Sequence, residues 1–368
     1  MSGNGREIVL DGPVGPEVSI AGKRYLYFGG TDYLNMAGRP EVRRGASRAI
    51  DDFGVSASAS RTSSGTLQIH LELERAAADF AGSETAVIYS SGYLGMSILL
   101  SGLLADGDTL IVHRDAHSSI VEAARAWSPG FLEFDLDNLD SLADQLGRVT
   151  GGGRVVVAGE GVSPLFGRVF PLAEVVEMLG GRESLIFIDD AHGFGVLGKN
   201  GRGTADHFGV DSPAVVICAT LSKAFGSFGG IVPATTEQKK CICNNSLVYQ
   251  CSTPTPAPVC GAAVAALSYA AANQGLFRQL AENNRLLRET LAGVGLDVPD
   301  SPAPIIALAS SSKLNPRQLC DRLFEAGILA PFTSYPGSPE GGMVRLVTTA
   351  GHTAEQIGQL GEAIGRLL

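Results

Sequence analysis

Between about residues 84 and 235 the sequence alternates short, uninterrupted apolar runs with stretches of helical periodicity, and this alternation restricts the fold more than any other feature. TAVIYSS leads into GYLGMSILLSGLL, DTLIVHR into SSIVEAARAW, and RVVVAGEG into LAEVVEML; SLIFIDDAHG, AVVICATLSK and GGIVPAT follow. Strands that are apolar at every residue, rather than at alternate ones, are buried on both faces. Helices between them cover those faces, so the expected fold is α/β, a mostly parallel central sheet flanked by helices. Open sheets of this kind bind ligands outside the carboxyl ends of their strands. Polar residues gather at those ends: Ser91, His117, Glu160, Asp189, His192 and Lys223.

After Pro254 the pattern changes. APVCGAAVAALSYAAANQGLFRQLAENNRLLRETLAGV reads as a long helical segment, followed by strand-like APIIALAS and a helix around NPRQLCDRLFEAG. Strand-like GGMVRLVTT and a last helix, TAEQIGQLGEAIGRLL, complete the chain. With 368 residues the chain exceeds what one small core organises. We expect a large domain over residues 52–254, a smaller α+β C-terminal domain over 255–368, and an N-terminal segment, 1–51, that packs with the small domain.

Charge removes some classes of partner. Against 28 Lys and Arg stand 38 Asp and Glu, a net −10, with no basic stripe for nucleic acid. No apolar run approaches the roughly 18 residues that cross a membrane. MSGNGREIVLDG lacks the basic-then-apolar pattern of a secretory leader. The six cysteines form no CxxC pair and no metal-ligand spacing, so reduced thiols in a cytoplasmic protein without a metal site are expected.

Four stretches carry chemistry. In ATLSKAFGSFGG (219–230), Lys223 sits between a strand and a glycine cluster, with no carboxylate within eight residues. A lysine there costs desolvation unless its charge is paired or its pKa falls. It is either a snorkelling or paired lysine, or one chosen for its amine. In FIDDAHGFGVLG, Asp189 and Asp190 close an apolar strand and His192 follows. A dehydrated carboxylate is expensive unless it faces a cation, and a pyridinium nitrogen is one; a capping aspartate beside a hydrogen-bonded histidine is the alternative. In HRDAHSS, His117 is either a stacking platform for a flat ring or merely exposed. In YSSGYLGM, the amides of Gly92 and Tyr93 at a helix N-terminus suit a phosphate dianion, with Thr220 placed to add a hydroxyl; a serine-capped turn is the alternative. A Schiff-base lysine, an aspartate for a ring nitrogen, a phosphate cup and a stacking histidine are together what pyridoxal 5′-phosphate (PLP) requires.

On these motifs, above all DDAHGFGVLGKNGRG and TLSKAFGSFGG, the chain resembles the α-oxoamine synthases. These are fold-type-I PLP enzymes that include 8-amino-7-oxononanoate synthase and 2-amino-3-ketobutyrate CoA ligase. The resemblance runs from YLYFGGTDYLNMAGRPEV to VRLVTTAGHTAEQI. It implies a PLP-dependent acyltransferase that condenses an amino acid with an acyl thioester to an α-amino ketone, usually with decarboxylation. It further implies that Lys223 forms the Schiff base, Asp189 holds the ring nitrogen protonated, His192 lies near the phenolic oxygen, and His117 stacks on the ring. Gly92, Tyr93 and Thr220 would bind phosphate. Ser252 and Thr253 would reach that phosphate from a neighbouring subunit, which implies a homodimer. Arg345 would hold the amino-acid carboxylate.

Several positions depart from the family's pattern. Thr31, in GTDYLNM, replaces an asparagine near the substrate carboxylate, and Met96 replaces another after the phosphate turn. SPLFG replaces a Ser-Met-Asp-Gly run, so Pro164 aligns with the serine expected at the phenolic oxygen, and Ser163, one residue early, is the cofactor-binding candidate in its place. The same set of cofactor residues would serve an aminotransferase. A catalytically silent partner subunit is a further alternative, against which the retention of Lys223, Asp189 and His117 argues.

Overall fold

The computed structural model describes residues 7–311, 314–334 and 337–368; the first six residues of the expected N-terminal segment lie outside them. The apolar runs form a seven-stranded sheet. Two short N-terminal strands, β1 (Glu17–Ile20) and β2 (Lys23–Tyr27), precede it. The sheet itself comprises β3 (Thr85–Tyr89), β4 (Thr109–His113), β5 (Leu132–Phe134), β6 (Val155–Glu160), β7 (Ser184–Asp189), β8 (Val215–Thr220) and β9 (Gly230–Ala234). Their spatial order is β3-β9-β8-β7-β6-β4-β5. The five from β8 to β5 are parallel, and β9 runs antiparallel between β8 and β3. All six residues of β6 are buried, as continuous apolarity requires of a strand covered on both faces.

The remaining strands are β10 (Ile305–Ala309), β11 (Ile328–Leu329), β12 (Phe332–Thr333) and β13 (Met343–Val347). β10, β13 and β12 make an antiparallel sheet with β13 in the middle. β2 pairs in parallel with β11, so the N-terminal strands join the C-terminal part of the chain. Helix Pro40–Phe53 lies against helix Ala257–Ala272 at Gly45 and Gly261, where a methyl on either glycine would come within 2.5 Å of the other's backbone carbonyl.

The long helical segment expected after Pro254 is two helices, Ala257–Ala272 and Gly275–Gly293. Asn273 breaks it: its side-chain amide donates to the Tyr269 carbonyl at 2.8 Å and its backbone N–H to Ala270, which satisfies the last turn and ends the helix. Apolar periodicity carries through such a break because both helices bury one face in a core. Among the described residues no helix is long and apolar enough to cross a membrane.

Candidate active site

A cavity of about 200 Å³ opens at the carboxyl ends of β6, β7 and β8, lined among others by Gly92, Tyr93, His117, Glu160, Asp189 and Lys223. His192, Thr220, Ser222, Pro164 and Phe228 also reach it.

Leu221, fully buried, anchors the end of β8, and its backbone bonds Gly229 and Ser227 close the loop that carries Lys223. Gly226 has φ 57°, and a side chain there would lie 2.2 Å from the Ala37 backbone nitrogen. Only glycine allows both the left-handed turn and this close approach. The approach presses the segment around Tyr33 against the lysine loop. Lys223 Nζ lies 2.8 Å from His192 Nε2, and Tyr33 Oη lies 2.6 Å from His192 Nδ1. Burial, with the nearby charges of Lys223 and Arg345, holds the imidazole well below its usual pKa. A neutral ring that accepts from Lys223 at Nε2 carries its proton on Nδ1 and donates it to Tyr33. Burial lowers Lys223 to about 8; the Asp189 charge pulls upward and Arg345 adds to the decrease.

Adjacent residues of a strand end face opposite ways, and the two aspartates show the consequence. Asp189 faces the cavity, where one oxygen accepts from the Ala191 amide at 3.1 Å. Among the described residues no lysine or arginine forms an ion pair with it. Burial raises its pKa, and Lys223 is the main opposing influence. Asp190 is fully buried on the other side and accepts from Thr204 N at 2.8 Å and Thr204 Oγ1 at 2.6 Å.

At Gly92 the chain passes so close to β8 that an added Cβ would meet Thr220 Oγ1 at 2.6 Å. Thr220 Oγ1 lies 2.7 Å from Ser222 Oγ, and both hydroxyls face the cavity beside Gly92 and Tyr93. Thr220 Oγ1 also donates to the Gly229 carbonyl at 3.0 Å and Tyr93 Oη to Glu122, so the cup that suits an anion is made of the Ser222 hydroxyl and the amides at the helix start, with Thr220 beside them. His117 caps helix Ser118–Trp127, its Nδ1 2.8 Å from Ser119 Oγ, with its ring at the cavity; burial lowers its pKa. The donor set therefore fits PLP: a hydroxyl and amide cup, a low-pKa amine, an imidazole and a carboxylate without a cation of its own.

Other expected residues lie further out. Arg345, 9 % exposed at the centre of β13, donates Nε–H to the Pro164 carbonyl at 2.6 Å, and its Nη2 is buried with no partner. Pro164 thus lines the cavity on one side and orients the guanidinium on the other. Ser163 turns away from the cavity lining, and its hydroxyl accepts from the Phe166 amide at 3.4 Å, inside a turn closed by the bond from Gly167 N to Ser163 O. Thr31 accepts from Tyr33 N through its carbonyl and does not line the cavity. Ser252 donates to the Val248 carbonyl, and exposed Thr253 is likewise outside the lining. Sequence reasoning missed Ser222 and Tyr33. Ser222 is adjacent to Lys223 and could have been read with Thr220; Tyr33 is 159 residues from His192, and no local signal joins them.

Fold and cavity together define the class: a fold-type-I transferase with its ligand site at the sheet's carboxyl edge. The aminotransferase class I and II family model matches residues 23–364. The 8-amino-7-oxononanoate synthase of Symbiobacterium thermophilum is 32% identical over 350 residues, covering 95% of this chain and 89% of that protein. Among solved structures, a serine palmitoyltransferase of Sphingomonas wittichii superposes with a TM-score of 0.92 at 27% identity, covering 98% of this chain and 92% of the other. Another, from S. paucimobilis with a bound PLP–myriocin aldimine, gives 0.92 at 25% identity with the same coverage. The chain belongs to the aminotransferase class I and II family, and within it to the α-oxoamine synthases, a PLP-dependent group.

Proposed function

We propose that this chain binds PLP through Lys223 and condenses an amino acid with an acyl thioester, releasing free thiol and carbon dioxide and leaving an α-amino ketone. The observation that carries this is the buried amine of Lys223, lowered to about 8, in one cavity with Asp189 and the cup at Gly92 and Thr220, with the unpartnered Nη2 of Arg345 outside the lining, behind Pro164. When bound, PLP supplies an electron sink for the pair left on the amino acid's α-carbon. Asp189 places its negative charge at the ring nitrogen and holds a proton there. The Lys223 amine, partly neutral near pH 7, removes the α-proton. His192, through Tyr33, keeps the acceptor nitrogen Nε2 turned toward Lys223 and the phenolic oxygen. Arg345 offers its free edge to the substrate carboxylate, a fork that a guanidinium supplies and an ammonium does not. On this reading Thr31, outside the cavity lining, contributes to the substrate side only through the backbone turn that positions Tyr33.

Gly92, Tyr93, Thr220 and Ser222 hold the phosphate and His117 covers the ring. Ser163 acts through the turn that presents Pro164. In a homodimer, the half-buried Ser252 and exposed Thr253 of a second copy reach the phosphate. The chain then works as a large PLP-binding domain with a smaller one that takes in the N-terminal strands, supported by the β2–β11 pairing, and it acts in the cytoplasm.

The test is to load the protein with PLP, reduce with borohydride, and locate the fixed adduct by peptide mapping. Attachment at Lys223, lost in Lys223→Ala, is expected. Amino acids are then screened against acyl-CoAs for free thiol release. Accumulation of pyridoxamine phosphate and a 2-oxo acid, without dependence on thioester, would make the chain an aminotransferase instead.

A further inference from the structure

β6 and β7 end side by side. Glu160 and Asp189 are register partners, so their side chains leave neighbouring strands, about 4.8 Å apart, on the same face and into the same cavity. Glu160 is 7 % exposed. Two carboxylates sharing a buried site resist ionising together, and among the described residues Lys223 is the only lysine or arginine in the cavity lining. Asp189 has the better claim to the charge, because it holds the Ala191 amide and feels Lys223 most strongly after burial. Glu160 is held by the His117 backbone and only more weakly by Lys223, and the His113 imidazole is no partner: its Nδ1 lies 4.0 Å from Glu160 Oε2, beyond hydrogen-bond reach, and is buried unbonded. Burial beside Phe134 lowers the pKa of that imidazole, though Asp115, Asp135 and Asp137 pull it upward, which makes it a poor taker of the Glu160 proton.

We propose that Glu160 is a positioning residue that holds a proton in the working enzyme, leaving Asp189 the only negative charge on the cavity floor and thereby setting how readily the Lys223 nitrogen gives up its own proton. The inference rests on the PLP reading above. Burial, then the Asp189 charge, raises Glu160 to about 8; Asp115 adds to this, while the His117 backbone and Lys223 oppose it. An ionised Glu160 would put a second negative charge near Lys223 and hold its proton on. A neutral Glu160 frees the amine for use as a base.

The test has a cofactor-free arm and a loaded arm. In the cofactor-free protein at about pH 6, the infrared difference between wild type and Glu160→Gln should contain the carbonyl stretch of a protonated carboxylic acid. In wild type that stretch should fade as pH rises through about 8. With PLP added, the visible band of the Lys223 linkage is titrated. Wild type and Glu160→Gln should coincide at low pH, and above about pH 8 wild type should retain the protonated linkage to a pH higher by about one unit or more. Glu160→Asp should restore both the acid stretch and the pH-dependent divergence, and it substitutes for Glu160→Gln if that variant does not fold. No acid stretch at about pH 6, or a spectral offset constant at every pH, overturns the proposal. If wild type forms no visible linkage, the cofactor reading fails, and the infrared arm still decides the protonation of Glu160.

Discussion

Replacing Asp189 with Asn should improve the amine and spoil the reaction. Burial places Lys223 at about 8 instead of 10.5, so near pH 7 about one molecule in ten carries a neutral amine, roughly 300-fold more than for a lysine in water. The Asp189 charge is the largest influence pulling that value upward. Removing a nearby opposite charge typically lowers a lysine by about 1–3 units. In Asp189→Asn the midpoint should fall to about 7 or below, and the neutral share near pH 7 should rise to about half or more. Selective amine labelling of the cofactor-free protein across a pH series, followed by peptide mapping at Lys223, measures this directly. An amide cannot hold a proton on a ring nitrogen, so exchange of the substrate α-hydrogen in deuterated water should fall by about 10²-fold or more despite the more available base. An unchanged or raised labelling midpoint would refute the charge argument. Exchange at the wild-type rate would refute the role at the ring.

Asp190 supplies a contrast. Burial raises it to about 6, above the roughly 3.9 of an unfolded chain, so between those values the folded state binds more protons than the unfolded one. Stability from this group therefore falls as pH rises from about 4 through about 6, by about 3 kcal/mol in all. Asp190→Asn should flatten that slope in denaturant titrations while α-hydrogen exchange persists; an unaltered slope would count against it. Gly92→Ala would put a methyl 2.6 Å from Thr220 Oγ1, so it should weaken PLP binding by about tenfold or more and leave binding of phosphate-free pyridoxal nearly unchanged. Equal losses for both ligands would place the anion cup elsewhere.

The central sheet was legible because its strands are apolar at every residue, a pattern that only burial on both faces explains. That Lys223, Asp189, His192 and His117 gather at one cavity was legible because each closes or closely follows such a run, at the sheet's carboxyl edge. The antiparallel insertion of β9 between β3 and β8 was not, since GIVPA reads the same in either direction of pairing. Nor was the displacement of Ser163, which follows from a turn whose hydroxyl is engaged by Phe166. Tyr33 shows the same limit: its place at His192 depends on Gly226 meeting Ala37, contacts that lie far apart in the chain.

The pairing of β2 with β11 sets a timetable for synthesis. Leu26 waits for Ile328, about 300 residues later. At roughly 5–20 residues per second a ribosome takes about 15–60 s to supply that partner. Until then Tyr33, Leu34 and Met36, all fully buried in the finished molecule, lack the small sheet beside them, although the lysine loop has already been made. The nascent chain thus carries an exposed apolar stretch, the one whose Tyr33 ends up behind His192, for as long as the C-terminal strands are still to be made.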